Sequence, residues 1–171
     1  QKGKKGKTRV QLFGSGSILR EAIAAADLLS ADFKVEADIW SCTSFNQLKR
    51  DGDEVSRWNM LHPDKKPKMS HVEKCLLDTD GPVVAATDYV KLFADQIRAY
   101  VPRSYSVLGT DGFGRSDSRQ ALRKHFEVDR YFIAVTALNA LVEDGRVSSK
   151  TVKAAIKKYG IDPNKNNPLM S

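Results

Sequence analysis

The sequence contains little of what metal, redox and membrane proteins depend on. Its two cysteines, Cys42 and Cys75, stand 33 positions apart in 171 residues, without a CxxC pair and without histidines at metal-ligand spacing. A zinc site or a redox pair is therefore disfavoured, and a reducing cytoplasm fits best. No apolar run approaches the roughly 18 residues that cross a membrane, and the lysine-rich start lacks the apolar core of a secretion signal. We predict a soluble, cytoplasmic protein that does not use a membrane.

Sequence signatures of common enzymes are also missing. There is no Gly-x-Ser-x-Gly elbow and no Gly-Lys-Ser/Thr phosphate loop. No sequence motif links the three histidines to a serine or cysteine nucleophile. The carboxylates are scattered over helix faces, and their spacing identifies no acid/base pair. These histidines are His62, His71 and His125. From the residues alone we predict no catalytic, metal-binding or cofactor-binding residue.

The positive charge is concentrated at the start of the chain. The formal net charge is +7, but the first nine residues hold five cations and no acid, so the rest carries about +2 (7 − 5). These cations are Lys2, Lys4, Lys5, Lys7 and Arg9. This distribution disfavours a nucleic-acid partner, which would need a basic face on the folded domain. We predict that residues 1–9 are a basic linker from upstream domains and that residues 10–171 form one domain.

What the sequence does contain is an alternation of strand and helix patterns. Short apolar runs at 8–13, 33–42, 82–87 and 105–108 have strand character. Each precedes a stretch with apolar residues at helical spacing, although the stretch after the second run is predicted to break near Asp51-Gly52. This order predicts an α/β sandwich with a mostly parallel sheet, whose ligands lie at the carboxyl ends of the strands.

Two glycine turns are predicted at that edge. The first, Gly14, Ser15, Gly16 and Ser17, opens a helix that Ser17 is predicted to cap, so its backbone N–H groups form a weak candidate anion site. It lacks the third small residue and the later acid of a dinucleotide fingerprint, which favours a structural turn.

The second turn, "TDGFGRSDSR" at 110–119, permits three interpretations from its residues: an active-site loop, an anion site, or a sharp exit from a strand. Its glycines permit the exit, and Ser116 or Ser118 is placed to cap the next helix. Asp117 favours that helix's N-terminus.

Five motifs together resemble a known family. They are "VQLFGSGSILREA", "SCTSFNQLKRDG", "RWNMLHP", "ATDYVKLFADQIRAYVP" and "VLGTDGFGRSDSRQALRKHFEVD". In this order and spacing they resemble the C-terminal domain of the homodimeric, acetyl-transferring pyruvate dehydrogenase component, an oxidoreductase among the transketolase-like thiamine diphosphate enzymes. The resemblance runs from about Val10 to the end of the chain.

The resemblance implies a three-layer α/β/α domain with a five-stranded sheet that includes one antiparallel strand. It implies a parent enzyme that decarboxylates pyruvate and reductively acetylates the lipoyl group of dihydrolipoyl acetyltransferase, with thiamine diphosphate and Mg²⁺ bound by other domains. The chain lacks the family's Gly-Asp-Gly and distant asparagines, so we expect it to be a fragment without activity.

In the family this domain helps to assemble the dimer and frames the outer substrate channel. We therefore assign candidate inter-domain or inter-subunit contacts in the second turn: Asp111, Phe113, Arg115, Asp117 and Arg119. The alternative is a free-standing α/β module that binds an anion or a regulator at its glycine turns.

Overall fold

The fold is built on a central parallel sheet. A computed structural model describes residues 8–170. Its sheet has four strands in the order β2-β1-β3-β4, and every pair is parallel. The strands are β1 (Arg9–Gly14), β2 (Glu36–Ser41), β3 (Val83–Ala86) and β4 (Tyr105–Leu108). All four predicted strands are confirmed, and short parallel strands of this kind need helices on both faces to bury them.

Helices cover both faces of the sheet. They are α1 (Leu19–Phe33), α2 (Phe45–Leu61), α3 (His71–Leu76), α4 (Lys91–Asp95), α5 (Arg119–His125), α6 (Arg130–Glu143) and α7 (Ser149–Lys158). Short 3₁₀ turns occupy Gly16–Ile18, Arg98–Tyr100 and Pro168–Met170.

Alternation along the strands separates two apolar clusters. In β3, Val84 and Ala86 pack with α1 and α6, whereas Val83 and Ala85 pack with α2, α3 and α4. This is the period-two alternation of a strand, here with both faces buried. The predicted α/β sandwich is confirmed.

The sheet differs in one respect from the family expectation. Within residues 8–170 it has four strands, and the fifth, antiparallel strand is missing. After α7 the chain continues through 161–170, which holds two prolines and three asparagines and forms turns. Proline cannot donate to a strand ladder and asparagine favours turns, so this composition favours the turns observed there over a further strand.

The end of the predicted linker at residues 1–9 takes part in the fold. Lys2, Lys4, Lys5 and Lys7 lie outside the described residues. Arg9, however, begins β1, and its guanidinium lies 2.6 Å from the buried carboxylate of Asp38. Asp38 also accepts a hydrogen bond of 3.0 Å from the buried Gln11 side chain. A buried carboxylate needs such partners, so Arg9 belongs to the folded domain.

The predicted interruption of α2 at Asp51-Gly52 is also wrong, because the helix runs without a break. Gly52 is buried there, and a Cβ at this position would overlap the ring of Tyr100. Glycine costs about 1 kcal/mol in a helix interior relative to alanine. Here it permits a close contact between α2 and the turn that follows α4.

Candidate functional site

The two glycine turns meet at one edge of the sheet. Gly14 ends β1 and Leu108 ends β4, and because the strands are parallel both turns leave from the carboxyl edge, as predicted. A cleft of about 630 Å³ lies between them. It is lined from the first turn by Ser17 and Ile18, from the second by Thr110, Gly112, Gly114, Arg115 and Asp117, and from α5 by Arg119 and Arg123, with Asp88 beside them.

The first turn is closed by side chains of the domain itself. Gly16 has φ +56°, and a Cβ there would stand 3.0 Å from a carboxylate oxygen of Asp88. The Ser17 hydroxyl donates a 3.0 Å hydrogen bond to Asp88 and accepts one of 3.1 Å from Arg123. The prediction that Ser17 caps α1 is therefore wrong. A 3₁₀ turn precedes the helix, and the Ser17 hydroxyl bonds to Asp88 and Arg123 instead of a helix N–H group.

This geometry argues against the candidate anion site at Gly14, Ser15, Gly16 and Ser17. The carboxylate of Asp88 lies against the turn where an incoming anion would approach, and like charges repel at such distances. The alternative of an anion-binding module then depends on Arg115 and Arg119 of the second turn.

A buried ionic cluster lies directly behind the first turn. Glu21, on α1, is 4% exposed. It accepts a 2.9 Å hydrogen bond from Arg123 on α5, and further bonds from both the side chain and the backbone N–H of Arg130. Burial alone would raise the pKa of Glu21, but the hydrogen bonds and positive charges of the two arginines hold it below its usual value. The cluster joins α1, α5 and the start of α6.

In the second turn, two of the predicted contact residues serve the local fold. Asp111 accepts a 2.9 Å hydrogen bond from the backbone N–H of Lys91 at the start of α4. Asp117 accepts one of 2.6 Å from the N–H of Ser118. Ser118 in turn caps α5 by accepting from the N–H of Ala121 at 3.3 Å, which confirms one of the two predicted caps.

The other three predicted contact residues are exposed. Phe113 is 77% exposed, which is unusual for a phenylalanine. Arg115 and Arg119 also face solvent and have no ion pair within residues 8–170. These three side chains are free to make contacts outside the domain.

Phe113 belongs to a larger apolar surface that sequence reasoning missed. Three segments approach one another at this edge: the Tyr89 carbonyl lies against Gly109, and the Pro168 carbonyl lies against Gly112. They expose seven large apolar side chains, which we call the carboxyl-edge surface: Tyr89, Val90, Leu92, Phe93, Phe113, Leu169 and Met170. Apolar spacing predicts one amphipathic helix over 89–101. The structure instead has the five-residue α4 and a 3₁₀ turn, and Leu92 faces solvent.

The histidines and cysteines do not assemble a reactive centre at this edge. The thiol of Cys42 is buried. Burial, with a smaller contribution from the nearby Cys75, raises the pKa of this thiol to about 12, which disfavours the reactive thiolate. His71 lies 3.4 Å from the sulfur of Cys75, but neither residue lines the cleft. The pKa of His125 is lowered mainly by burial and also by the positive charges of Arg115 and Lys165, so the neutral imidazole is favoured.

The residues at this edge do not fit thiamine diphosphate. In the part of the chain that the structure describes, no three His, Cys, Asp or Glu side chains come together as metal ligands for Mg²⁺. The glycine turn that would accept a diphosphate faces Asp88 instead. We therefore derive no chemical step through this cofactor.

Across residues 8–170, none of the helices has the length and the apolar character that crossing a bilayer requires.

Comparison with curated proteins finds relatives named pyruvate dehydrogenase E1 component. The chain is 58% identical over 161 residues to the pyruvate dehydrogenase E1 component of Cupriavidus necator, covering 94% of this chain and 18% of that protein. The protein of the same name from Pseudomonas aeruginosa is 60% identical over 161 residues, with the same coverage. That of Escherichia coli is 52% identical over 170 residues, covering 99% of this chain and 19% of the relative. The chain thus spans less than a fifth of each of these relatives.

The solved structures with a similar fold include two transketolases. A split-gene transketolase, described as an inactive beta4 tetramer, matches with a TM-score of 0.52 at 18% identity, over 81% of this chain and 41% of that one. Transketolase from Leishmania mexicana matches with a TM-score of 0.52 at 19% identity, over 82% and 17%. At these identities the likeness concerns the fold alone. A family model described as the transketolase-like TK C-terminal domain matches residues 1–129. Together with the relatives this confirms the resemblance, and the chain belongs to the transketolase-like TK C-terminal domain family.

Proposed function

We propose that this chain is the C-terminal assembly domain of a cytoplasmic pyruvate dehydrogenase E1 component. The parent enzyme decarboxylates pyruvate with thiamine diphosphate and Mg²⁺, which its other domains bind. It then reductively acetylates the lipoyl group of dihydrolipoyl acetyltransferase. The observation that carries this proposal is the 52–60% identity to proteins of that name over nearly the whole chain.

The carboxyl-edge surface supports an assembly role. Its seven large apolar side chains are exposed on segments whose backbones lie close together, and exposed apolar side chains concentrated at one edge indicate an interaction site. Arg115 and Arg119 belong to the same turn as Phe113 and line the cleft, and neither forms an ion pair in the described part of the chain. Because an arginine guanidinium suits bidentate pairs at interfaces, we assign these three residues to contacts with other domains or with the partner subunit of a homodimer.

The chemistry of the cleft supports inactivity of the domain by itself. Its carboxylates are engaged in the local fold: Asp88 with Ser17, and Asp117 with the start of α5. Neither is placed as an acid/base pair around a free space, so decarboxylation belongs to the parent chain.

A chimera tests the proposal. In the Cupriavidus necator relative, the C-terminal segment that matches this chain is replaced by the present sequence. Pyruvate decarboxylation is then measured with an artificial electron acceptor. We expect a dimeric, thiamine diphosphate-dependent enzyme with activity close to that of the unmodified relative, because the two domains are 58% identical over 161 residues.

Two controls accompany the chimera. The relative truncated before this domain is expected to lose assembly and activity together. The isolated chain is titrated with thiamine diphosphate and with pyrophosphate by calorimetry, and no heat is expected. A chimera that assembles but does not decarboxylate pyruvate would contradict the proposal, as would tight binding of thiamine diphosphate to the isolated chain.

A further inference from the structure

Helix α7 carries more positive charge than the fold uses. Its ten residues include four lysines and no acid. Lys158 forms an ion pair of 2.7 Å with Asp32 on α1. The other three are exposed and have no ion pair among residues 8–170: Lys150, Lys153 and Lys157.

The placement of these lysines is unfavourable for the helix. Positions 150, 153 and 157 recur at helical spacing on one face, and Lys153 and Lys157, four residues apart, repel each other. Lys150 lies in the first turn, where the helix dipole disfavours a cation. Of these three lysines, only Lys157 lies in the last turn, where the helix dipole stabilises a cation. The stability of α7 therefore does not account for this row of lysines.

The lysines border an apolar groove. Between α6 and α7 lies a groove of about 550 Å³, which we call the lysine-rimmed groove. Lys153 and Lys157 contribute to its wall, and its apolar lining consists of Val142, Val152, Ile156, Ile161 and Pro163. Unlike the carboxyl-edge surface, it shares no residue with the two glycine turns.

The shape and chemistry of the groove indicate the class of partner. Its valine and isoleucine side chains are half-buried and form a recess. Insertion into a lipid bilayer would require apolar side chains that project from the surface, so a membrane is not the favoured partner. Nucleic-acid binding would favour aromatic side chains for base stacking and arginines for phosphate recognition, and neither kind lines the groove. A recess that is apolar inside and positive at its rim complements a helix with aliphatic side chains flanked by carboxylates.

We propose that the lysine-rimmed groove binds an acidic, aliphatic helical segment of another protein. The aliphatic side chains enter the recess formed by Val152 and Ile156, and aspartate or glutamate pairs with Lys153 and Lys157. Lys150 extends the same positive row along the partner helix. This contact is independent of the assembly role, because it uses the α6–α7 side of the domain.

A peptide selection tests this interaction. A library of random helical peptides is selected against the chain, and the most enriched peptide is synthesised with a fluorophore for anisotropy titration. We expect enrichment of leucine or isoleucine at helical spacing beside glutamate or aspartate. Binding should weaken about tenfold or more in Lys153→Glu/Lys157→Glu and should weaken as salt is raised, because rim charges are screened.

The matched control is Lys65→Glu/Lys66→Glu, which changes the net charge equally in the exposed segment before α3. It should bind the peptide as the unmodified chain does. Circular dichroism confirms that the helices of both variants are intact, and Lys153→Gln/Lys157→Gln should show an intermediate loss.

Three outcomes would overturn the proposal. They are the absence of any enriched peptide, enrichment of peptides without acidic residues, and equal loss of binding in the control variant. Binding of phosphatidylserine vesicles that is lost in Lys153→Glu/Lys157→Glu, without peptide enrichment, would assign the groove to a membrane surface instead.

Discussion

The two glycine turns leave the same edge of the sheet with similar residues, yet they have different surroundings. In the first, a Cβ on Gly14 would stand 2.7 Å from the Cα of Leu19, whereas in the second no atom lies within 4 Å of a Cβ built on Gly114. Ser17 of the first turn is held by Asp88 and Arg123. Phe113 of the second turn is 77% exposed.

This difference assigns separate roles to the turns. The first turn is closed by the fold's own charges and packing, so it serves the stability of the domain. The second turn is anchored by Asp111, by the contact of Gly112 with the Pro168 carbonyl and by Ser118, and it presents residues 113–116 to solvent. Glycine and serine content alone does not distinguish a structural turn from a contact surface. The role of each turn depends on which side chains from distant positions contact it.

The largest expected effect comes from removing the charge behind the first turn. Glu21→Gln leaves Arg123 and Arg130 without their buried partner and should lower the free energy of unfolding by about 3 kcal/mol. Urea denaturation at neutral pH measures this. Asp64→Asn, which removes an exposed partner of Lys65, should change little.

The same variant tests the pH dependence. Because the folded-state pKa of Glu21 lies below its ordinary value, its contribution is fully present above about pH 4.3 and is lost as pH falls through the folded-state pKa. The stability difference between the unmodified chain and Glu21→Gln should therefore shrink below about pH 4. A difference that is constant across this range would show that Glu21 is not the charged centre of the cluster.

Adding one methyl group to each turn gives the next largest contrast. Gly14→Ala forces Leu19 to move and should cost about 1–3 kcal/mol of stability. Gly114→Ala meets open space at a backbone angle outside the left-handed region, so it should change stability by less than about 0.5 kcal/mol. The shift in the urea midpoint of each variant is the measurement. Equal costs in both turns would contradict the comparison.

A smaller effect is expected from the serines. Ser17→Ala removes the hydrogen bonds to Asp88 and from Arg123 and should cost about 1 kcal/mol. Ser116→Ala, at an exposed position of the second turn, should leave the melting temperature unchanged. If Ser17→Ala is equally neutral, the first turn is less tightly closed than its geometry indicates.

The sequence predicted the architecture well because the relevant signals are local. Apolar alternation and helical spacing located all four strands, and parallel pairing then placed both turns at one edge. Ser118 was predictable as a cap because capping needs a short polar side chain three residues before its donor.

What the sequence did not predict depends on contacts between distant positions. Asp88 lies 71 positions from Ser17, and no local pattern indicates that its carboxylate closes the first turn. Gly52 suggested a break in α2 because its partner, Tyr100, lies elsewhere in the chain. The carboxyl-edge surface was missed for the same reason, since Leu92 and Met170 are brought to one edge only by the folded loops.

The assembly role of the second turn is the central claim, and one measurement tests it most directly. In the chimeric enzyme, Phe113→Ser/Arg115→Ala is compared with the unmodified chimera by sedimentation velocity, together with decarboxylation per assembled dimer. We predict that the dimer dissociates about tenfold or more readily, while the dimers that persist keep their activity. An intact dimer that no longer decarboxylates pyruvate would contradict the account, because the second turn would then serve the reaction and not the assembly.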